Sequence, residues 1–446
     1  MALSYVNEKA TKVKDSLLTK NYSKTAPWIN DADRVINMPL SLNRVRQVYM
    51  GKKNEYTFAE ILMILGLFLI VFITGADSFI ISPLLPAIER NYSISISQAA
   101  LAVTIYALCY ACGSPFFGPL GDQFNRKKLL KTGILIFLVG SFLCAVAGNV
   151  VEFYIFRAVA GLGAALTLPN VWATIGNYFK GSRLNTVMGI TMSGLSLSIA
   201  IGVPLGTTLS QISDWHMAFW GSGIITLIAF LVLLKVVPNM QVIVKNRPAY
   251  LQSFETLFKT PKAIPALMIT LIWMFGFYLI YTFLGTFITD RFALNTAQTG
   301  YVFIAYGLSN FIASFFGGAV TNRLGSMHSV ILNGSFSILF VLGLAFINKQ
   351  LIFTIVFLVL LALVQGFGVT ALTTYIVNVV PKNRSTVMSF NSSFLYLGLT
   401  LGSMLGGFMY PKVGFTGVGI CAAFALAIAV AVTKAINEKR AQNFDY

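Results

Sequence analysis

Twelve long apolar segments separated by short polar connections restrict the fold of this chain more than any other feature. A helix needs about 20 apolar residues to cross a hydrocarbon layer about 30 Å thick. Only 11% of the residues are charged, against about 25% in soluble domains. The sequence therefore predicts an all-α integral membrane protein with twelve transmembrane helices. The segments lie near 58–84, 97–117, 129–148, 150–176, 184–210, 217–237, 263–289, 297–320, 327–347, 351–378, 384–410 and 413–435.

Polar segments divide the chain. We predict a leader, two six-helix bundles joined by a linker, and a tail, at residues 1–57, 58–237, 238–262, 263–436 and 437–446. The net charge of +17 comes from Lys and Arg concentrated in the leader, the linker, the tail and alternate connections. Under the positive-inside rule these parts face the cytoplasm, which predicts a multi-pass cell-membrane protein with both termini inside. The same placement argues against nucleic acid as a partner.

Short patterns recur 200 residues apart. Thr186-Val-Met-Gly matches Thr386-Val-Met-Ser, and Ile201-Gly-Val-Pro-Leu-Gly206 matches Leu401-Gly-Ser-Met-Leu-Gly406. Gly118-Pro-Leu-Gly-Asp122 matches Gly318-Ala-Val-Thr-Asn322. Several matches at one offset indicate a duplicated bundle, and duplicated bundles are typical of secondary transporters with a substrate site at the midplane.

Three stretches of the first half carry a family resemblance. Gly118-Pro-Leu-Gly-Asp122-Gln-Phe-Asn-Arg126-Lys127-Lys128 resembles the loop 2–3 signature of the major facilitator superfamily, and Arg157-Ala-Val-Ala-Gly161-Leu-Gly163 resembles its fourth-span motif. The stretch from Gly194 to Gly206 resembles the fifth-span motif of its drug:proton antiporters. That motif favours a Gly directly before the Pro, whereas here Val203 stands between Gly202 and Pro204.

The resemblance implies a major facilitator fold of two pseudo-symmetric bundles and a proton-coupled antiporter of the multidrug efflux type. It also implies that Gly118, Asp122, Arg126 and Lys127 form a latch between the halves. The alternative is that this loop is only a topology signal and a turn. We expect export of small, lipophilic or cationic compounds by alternating access. The alternatives are an exporter of a sugar, metabolite or lipid on the same fold, and an importing proton symporter.

Asp77 and Arg157 are charged residues deep inside apolar segments. An ionisable side chain within a membrane is costly and indicates function. At a helical rise of about 1.5 Å per residue, the two residues lie at similar depths, so we expect them to face one cavity and to couple transport to protons. The alternative is a structural ion pair.

The second half carries no comparable charge, since Ala362 aligns with Arg157. Trp273, Phe277 and Tyr281 share one helical face. We predict a substrate cavity formed by these aromatics together with Gln365, Asn391 and Tyr396. The same aromatic stripe is equally compatible with a lipid-facing surface. The glycines 194, 202 and 206, with Pro204, are interpreted as helix packing or as a seal between the halves.

Catalysis and cofactors are not expected. The sequence has no Walker-type loop for ATP, no metal-ligand cluster and no nucleophile paired with a base. Four cysteines all lie in apolar segments and are interpreted as packing residues. We therefore expect a monomeric transporter whose partners are a small-molecule substrate, protons and the lipid bilayer.

Overall fold

The computed structural model describes residues 56–120, 124–179, 181–239, 259, 263–347, 349–379 and 384–442. Residues 1–55 of the predicted leader and most of the predicted linker lie outside these residues. The described elements are α1 (Phe58–Phe79), α2 (Ile81–Tyr92), α3 (Ile96–Leu120), α4 (Arg126–Cys144), α5 (Val150–Tyr178), α6 (Gly181–Leu197), a π-helix (Ser198–Gly202), α7 (Val203–Leu209), α8 (His216–Val236), α9 (Ala263–Phe292), α10 (Thr296–Leu324), α11 (Ser326–Phe346), α12 (Leu351–Val379) and α13 (Arg384–Gln442).

The number of membrane crossings follows from these lengths. Ten helical stretches of the described chain are long and apolar enough to cross a membrane. Helix α4 is not among them because basic residues crowd its first turns. Helix α13 has 59 residues and is far too long for one crossing of about 30 Å. Counting α4 and two crossings in α13, the described residues provide the twelve crossings that the sequence predicts.

Three interruptions shape the helices, and each has a local cause. Pro83 lacks an N–H and its ring crowds the carbonyl four residues earlier, so the first crossing breaks between α1 and α2. Pro204 does the same to Ala200, and the chain widens into the π-helix just before it. Within α13 the chain turns at Gly414, whose φ is 63°.

Helix starts are fixed by side-chain caps. Thr57 and Glu60 form a reciprocal capping box at the start of α1, with the Thr57 N–H donating to Glu60 Oε2 over 2.8 Å. Asn295 and Gln298 form the same motif at the start of α10. These caps satisfy backbone N–H groups that a helix start leaves without partners.

The two halves pack internally around different partners. In the N-terminal half, α1 packs against α6, the π-helix and α8, whereas in the C-terminal half α9 packs mainly against α13. Between the halves, α3 lies against α13, α2 against α9, and α7 with the π-helix against α10. The candidate site lies where α1 and α3 approach this interface.

Candidate functional site

A buried ion pair forms the centre of the candidate site. The structure brings Asp77 of α1 and Arg157 of α5 into direct contact, with Arg157 Nη1 donating to Asp77 Oδ2 over 2.6 Å. Asp77 is 2% exposed and Arg157 is 0% exposed. Because removing two charges from water is costly, a buried pair persists only where its geometry and hydrogen bonds are favourable.

The guanidinium of Arg157 is held by three further groups. Its Nε donates to the carbonyl of Ala102 over 3.3 Å, and its Nη2 donates to the carbonyl of Asp77 over 3.5 Å. Its carbon Cζ lies 4.3 Å from the centre of the Tyr106 ring. Helix α3 therefore supplies both a hydrogen-bond acceptor and a cation–π partner.

Tyr106 links the ion pair to the other half of the molecule. Its ring centroid lies 6.4 Å from that of Tyr396 on α13, and Tyr396 stacks on Tyr110 of α3 at 3.7 Å. All three side chains are buried. One ring therefore lies between Arg157 and the contact between the halves.

A second group of aromatic rings lies across the interface between α1 and α9. Phe79 of α1 lies 5.2 Å from Tyr281 and 6.4 Å from Tyr278 on α9, measured between ring centroids. Tyr281 also contacts Tyr306 at 5.7 Å. The interface beside the ion pair is therefore rich in aromatic rings.

Close backbone contacts seal one end of this interface. Ser82 Oγ donates to the carbonyl of Tyr281 over 2.7 Å and accepts from the N–H of Gly285 over 3.2 Å. A Cβ on Gly285 would meet the backbone of Ser82, and one on Gly307 would meet the backbone of Ala200. Glycine is required at both positions because the helices approach so closely.

Contacts between α3 and α13 continue from this sealed end toward the other. Ser97 hydrogen-bonds to the carbonyl of Gly407, and the hydroxyls of Thr104 and Ser403 lie 2.8 Å apart. Further along, Ser114 Oγ donates to the carbonyl of Ser389 over 3.4 Å. The two halves are thus joined by neutral hydrogen bonds along this pair of helices.

The predicted cavity residues do not all face the interface. Trp273 is fully buried within the C-terminal half, where its Nε1 donates to Gln365 Oε1 over 2.7 Å. Its ring lies against Gly334 and Gly368. Asn391 accepts from the hydroxyl of Thr270 over 2.9 Å.

Tyr281 and Tyr396 contact rings of the other half, and Phe277 lies beside Tyr281. Phe277 contacts Tyr281 at 5.5 Å between centroids, and all three side chains are at least nine-tenths buried. The aromatic face of α9 is therefore split between the bundle interior at Trp273 and the interface at Tyr281. Neither part faces lipid.

The loop motif is only partly described. Asp122 lies outside the described residues, and Gly118 lies in the last turns of α3. Arg126 donates to the carbonyl of Ala173 over 3.0 Å, and the N–H of Lys127 donates to Asn125. The basic end of the motif is thus anchored to α5 of its own half.

The fifth-span glycines face α1 within the N-terminal half. A Cβ on Gly194 would lie 3.1 Å from the carbonyl of Phe68, and one on Gly202 would lie 2.7 Å from the Cβ of Ala76. Gly206 approaches Ile80, and Pro204 is buried beside it. The opposite face, with Ala200 and Thr207, contacts α10.

Sequence reasoning missed Tyr106 and Tyr110. They stand four residues apart in the third helix, so they share one face. Two tyrosines on one face of an apolar segment could have indicated a contact surface there. It also missed the π-helix at Ser198–Gly202, for which Pro204 is the local signal.

Two helical bundles with a charged pair beside their interface are an arrangement found in secondary transporters. The family described as Major Facilitator Superfamily matches residues 67–359 and 348–443. The chain therefore belongs to the major facilitator superfamily, and it is a transporter and not an enzyme.

Individual relatives agree with this assignment. The chain is 32% identical over 383 residues to an uncharacterized MFS-type transporter, YwfA, of Bacillus subtilis (strain 168), covering 84% of this chain and 92% of the relative. It is 24% identical to a probable sugar efflux transporter of Pasteurella multocida (strain Pm70), covering 79% of this chain and 86% of the relative.

The fold is also similar to a solved structure. This is the crystal structure of a bacterial homolog to the human lysosomal transporter Spinster, in an inward-facing and unoccupied conformation. The TM-score is 0.67 at 16% identity, covering 85% of this chain and 97% of that chain. The likeness confirms the all-α major facilitator fold.

Proposed function

We propose that this protein exports small, lipophilic or cationic compounds across the cell membrane in exchange for protons. The observation that carries the proposal is the buried Asp77–Arg157 pair, which is linked through Tyr106 to the contact between the halves. Among the described residues, the C-terminal half has no charged side chain buried to this degree. Proton coupling is therefore assigned to the N-terminal half.

The chemistry of the pair supports an exchange mechanism. When the carboxylate of Asp77 takes up a proton, its attraction to Arg157 falls and the guanidinium is left to its contacts with Ala102 and Tyr106. Movement of Tyr106 alters its contact with Tyr396 on the other half. The rearrangement that turns Asp77 toward the cytoplasm releases the proton there. Substrate then binds from the cytoplasm and moves outward in the reverse rearrangement, after which Asp77 takes up the next proton from outside.

The sealed end is assigned to the outer side of the membrane. Under the positive-inside rule, the connections at this end are the ones that the sequence leaves poor in Lys and Arg. On that assignment, the contacts of Ser82 with Tyr281 and Gly285 would close the outer side. Gly118, Asp122, Arg126 and Lys127 are proposed to latch the cytoplasmic side when the protein opens outward.

The interface chemistry supports the substrate class. Rings of Phe79, Tyr110, Tyr278, Tyr281 and Tyr396 line the contact between the halves. Aromatic faces attract cations and lipophilic surfaces. Tyr281 and Tyr396 are accordingly proposed as substrate contacts, whereas Trp273, Gln365 and Asn391 are proposed to hold the bundle that carries them.

Proton flux in proteoliposomes, measured with a panel of lipophilic cations and sugars, tests the proposal. Asp77→Asn should abolish substrate-driven proton movement while the protein remains folded. Asp214→Asn is the matched control, because Asp214 is an exposed acid of the same half whose partner is His216. Full coupling in Asp77→Asn would refute the proton-coupling role.

Sugar export is the second candidate function. It is favoured by the relative named as a probable sugar efflux transporter, and tyrosine hydroxyls at the interface offer hydrogen bonds to hydroxyl groups. The same panel separates the candidates: proton movement driven by sugars, and not by lipophilic cations, would support sugar export.

A further inference from the structure

A group of side chains and one carbonyl closes the end of the N-terminal half that lies beyond the contact of Ser82 with α9. We call it the outer cap. It consists of Tyr92, the last residue of α2, Ala147 in the connection between α4 and α5, and Asp214, Trp215 and His216, where α8 begins. On the side assignment of the proposed function, the outer cap faces the outside of the cell.

Both ring nitrogens of His216 face oxygen atoms. Nδ1 lies 3.0 Å from Asp214 Oδ1, and Nε2 lies 3.2 Å from the carbonyl oxygen of Ala147. Ionised carboxylate and carbonyl oxygens only accept hydrogen bonds, and a neutral imidazole has a single N–H. The neutral ring therefore donates to one of these oxygens, whereas the imidazolium donates to both. The geometry fits the charged form of His216.

The ring of His216 is held between aromatic neighbours. It stacks on the ring of Trp215, with centroids 3.8 Å apart and an angle of 26° between the planes. It also lies at 90° to the ring of Tyr92, with centroids 6.5 Å apart. The His216 side chain is 16% exposed, so protons from solvent reach it. A charged ring on an aromatic face gains a cation–π attraction that a neutral ring lacks.

The carbonyl of Ala147 joins His216 to the helix that contacts the other half. The hydroxyl of Tyr92 donates to this same carbonyl over 2.9 Å. Ser82, at the start of α2, is hydrogen-bonded to α9. One acceptor therefore holds both the start of α8 and the end of α2, and α2 carries the contact at the sealed end.

Trp215 connects the outer cap to the ion pair. Its ring centroid lies 5.8 Å from that of Phe219, and the centroid of Phe219 lies 5.8 Å from Arg157 Cζ. Trp215 and Phe219 are both buried. One ring therefore lies between the cap and the guanidinium of the candidate site.

We propose that His216 is a proton-binding site that responds to the pH outside the cell and controls the sealed end. With a proton on both nitrogens, the ring links Asp214 to Ala147 and keeps the end of α2 in place. When one proton leaves, a lone pair faces an oxygen, one hydrogen bond is lost and α2 is held less firmly. The inference rests on the side assignment of the proposed function but not on the role of Asp77.

The other charged and titratable groups around the outer cap come from four elements. They are Tyr92 of α2, Cys144 of α4, Glu152 of α5, and Asp214 in the connection before α8. Burial raises the pKa of the Tyr92 phenol, so its hydroxyl stays a donor to Ala147. Histidine is the side chain that ordinarily changes charge between about pH 5 and 8. The sealed end should therefore be most populated at the acid end of that range.

NMR of protein labelled with ¹⁵N-histidine tests the protonation of His216 without requiring transport. The chain has two histidines, and the other one, His328, is exposed in the first turn of α11. His328→Gln leaves only the signals of His216 and so assigns them. We expect both ring nitrogens of His216 to carry a proton at about pH 5 and one of them to be bare at about pH 8. A ring that stays neutral, or stays charged, over this whole range would overturn the proposal.

Distances between spin labels at the outer ends of α2 and α9 test the control of the sealed end. The measurement is made in Asp77→Asn, so that the other proposed proton site does not contribute. Between about pH 5 and 8, the ratio of molecules with the short distance to those with the long distance should fall about threefold, as expected for the loss of one hydrogen bond. A ratio that does not change with pH would overturn the proposal.

His216→Phe shows whether the change comes from this ring. Phenylalanine keeps an aromatic ring on Trp215 but has no N–H to donate, so the ratio should no longer change with pH. His328→Phe is the matched control and should keep the full change. A full change in His216→Phe would refute the role of His216. Asp214→Asn keeps an acceptor oxygen for Nδ1, so it leaves the link in place and still serves as the control for coupling.

The two proposals fail in different ways. If Asp77→Asn keeps full coupling, the proposed function fails, while the NMR and the spin-label distances still decide on His216. If His216 does not change charge while Asp77 is needed for coupling, only the role of the outer cap is refuted.

Discussion

The interiors of the two halves are held together by different chemistry. In the N-terminal half, α1 is joined to α5 by the charged contact between Asp77 and Arg157. In the C-terminal half, α9 is joined to α12 and α13 by neutral hydrogen bonds, from Trp273 to Gln365 and from Thr270 to Asn391. A neutral contact keeps its strength when a proton arrives, whereas a charged one does not. Under the proposed function, the C-terminal half would serve as support and the N-terminal half would respond to protons.

Removing one partner of the ion pair should give the largest loss of stability. Arg157→Ala leaves the carboxylate of Asp77 buried without its cation, which costs about 3–5 kcal/mol. Thermal unfolding in detergent measures the loss. The double variant Asp77→Asn with Arg157→Gln should regain much of the stability but not the transport, because a neutral pair does not respond to protons. Recovery of transport in the double variant would show that the pair is only structural.

A substitution at the seal should change the conformation more than the stability. Gly307→Ala places a methyl against the backbone of Ala200, so the sealed state should become less populated. Distances between spin labels on α2 and α9 report this change. Gly318→Ala is the control, because its Cβ would meet nothing within 4 Å. An unaltered distance distribution in Gly307→Ala would mean that other contacts determine closure.

The neutral contact of the C-terminal half should matter for folding alone. Trp273→Phe removes the donor to Gln365 and leaves a buried acceptor without its partner, at a cost of about 1–3 kcal/mol. The ratio of protons to substrate moved should stay the same, as measured by paired flux assays. A changed ratio would place proton handling in both halves, and the two halves would then not differ in their response to protons.

The smallest effect is expected at the stacked rings between the halves. A double-mutant cycle of Tyr110→Leu and Tyr396→Leu should give a coupling of about 0.5–1.5 kcal/mol, the usual range for aromatic pairs. The cycle uses the same thermal unfolding assay. A coupling near zero would indicate that the rings are only neighbours and do not transmit strain from Arg157.

Much of the fold can be predicted from the hydrophobic pattern. In a membrane, the bilayer thickness sets the length of a helix, and its backbone groups must be hydrogen-bonded within the helix. The twelve crossings and the repeat are read from the sequence for this reason. The tight connection between the last two crossings is not, since it depends on the conformation of Gly414. The break at Pro83 and the π-helix before Pro204 have causes that the sequence shows, namely the two prolines. The number of residues that leave the α-helical conformation depends on packing with neighbouring helices.

The candidate site was only partly accessible from the sequence. Asp77 and Arg157 stand out because a charge is rare in an apolar segment. Trp273 shares a helical face with Phe277 and Tyr281, but a face can be divided between two neighbours, and only the packed bundle shows where the division falls. Tyr106 was missed because its importance comes from lying between Arg157 and Tyr396, and no pattern within its own helix reveals that.

The turn at Gly414 has a consequence for how the last two crossings move. Its φ of 63° and ψ of −172° fall in a region that essentially only glycine occupies. The chain reverses at this one residue without a loop, so the flanking crossings have almost no slack between them and should travel as one hairpin. A tag or reporter inserted there would separate them, whereas one attached beyond Gln442 would leave the hairpin intact.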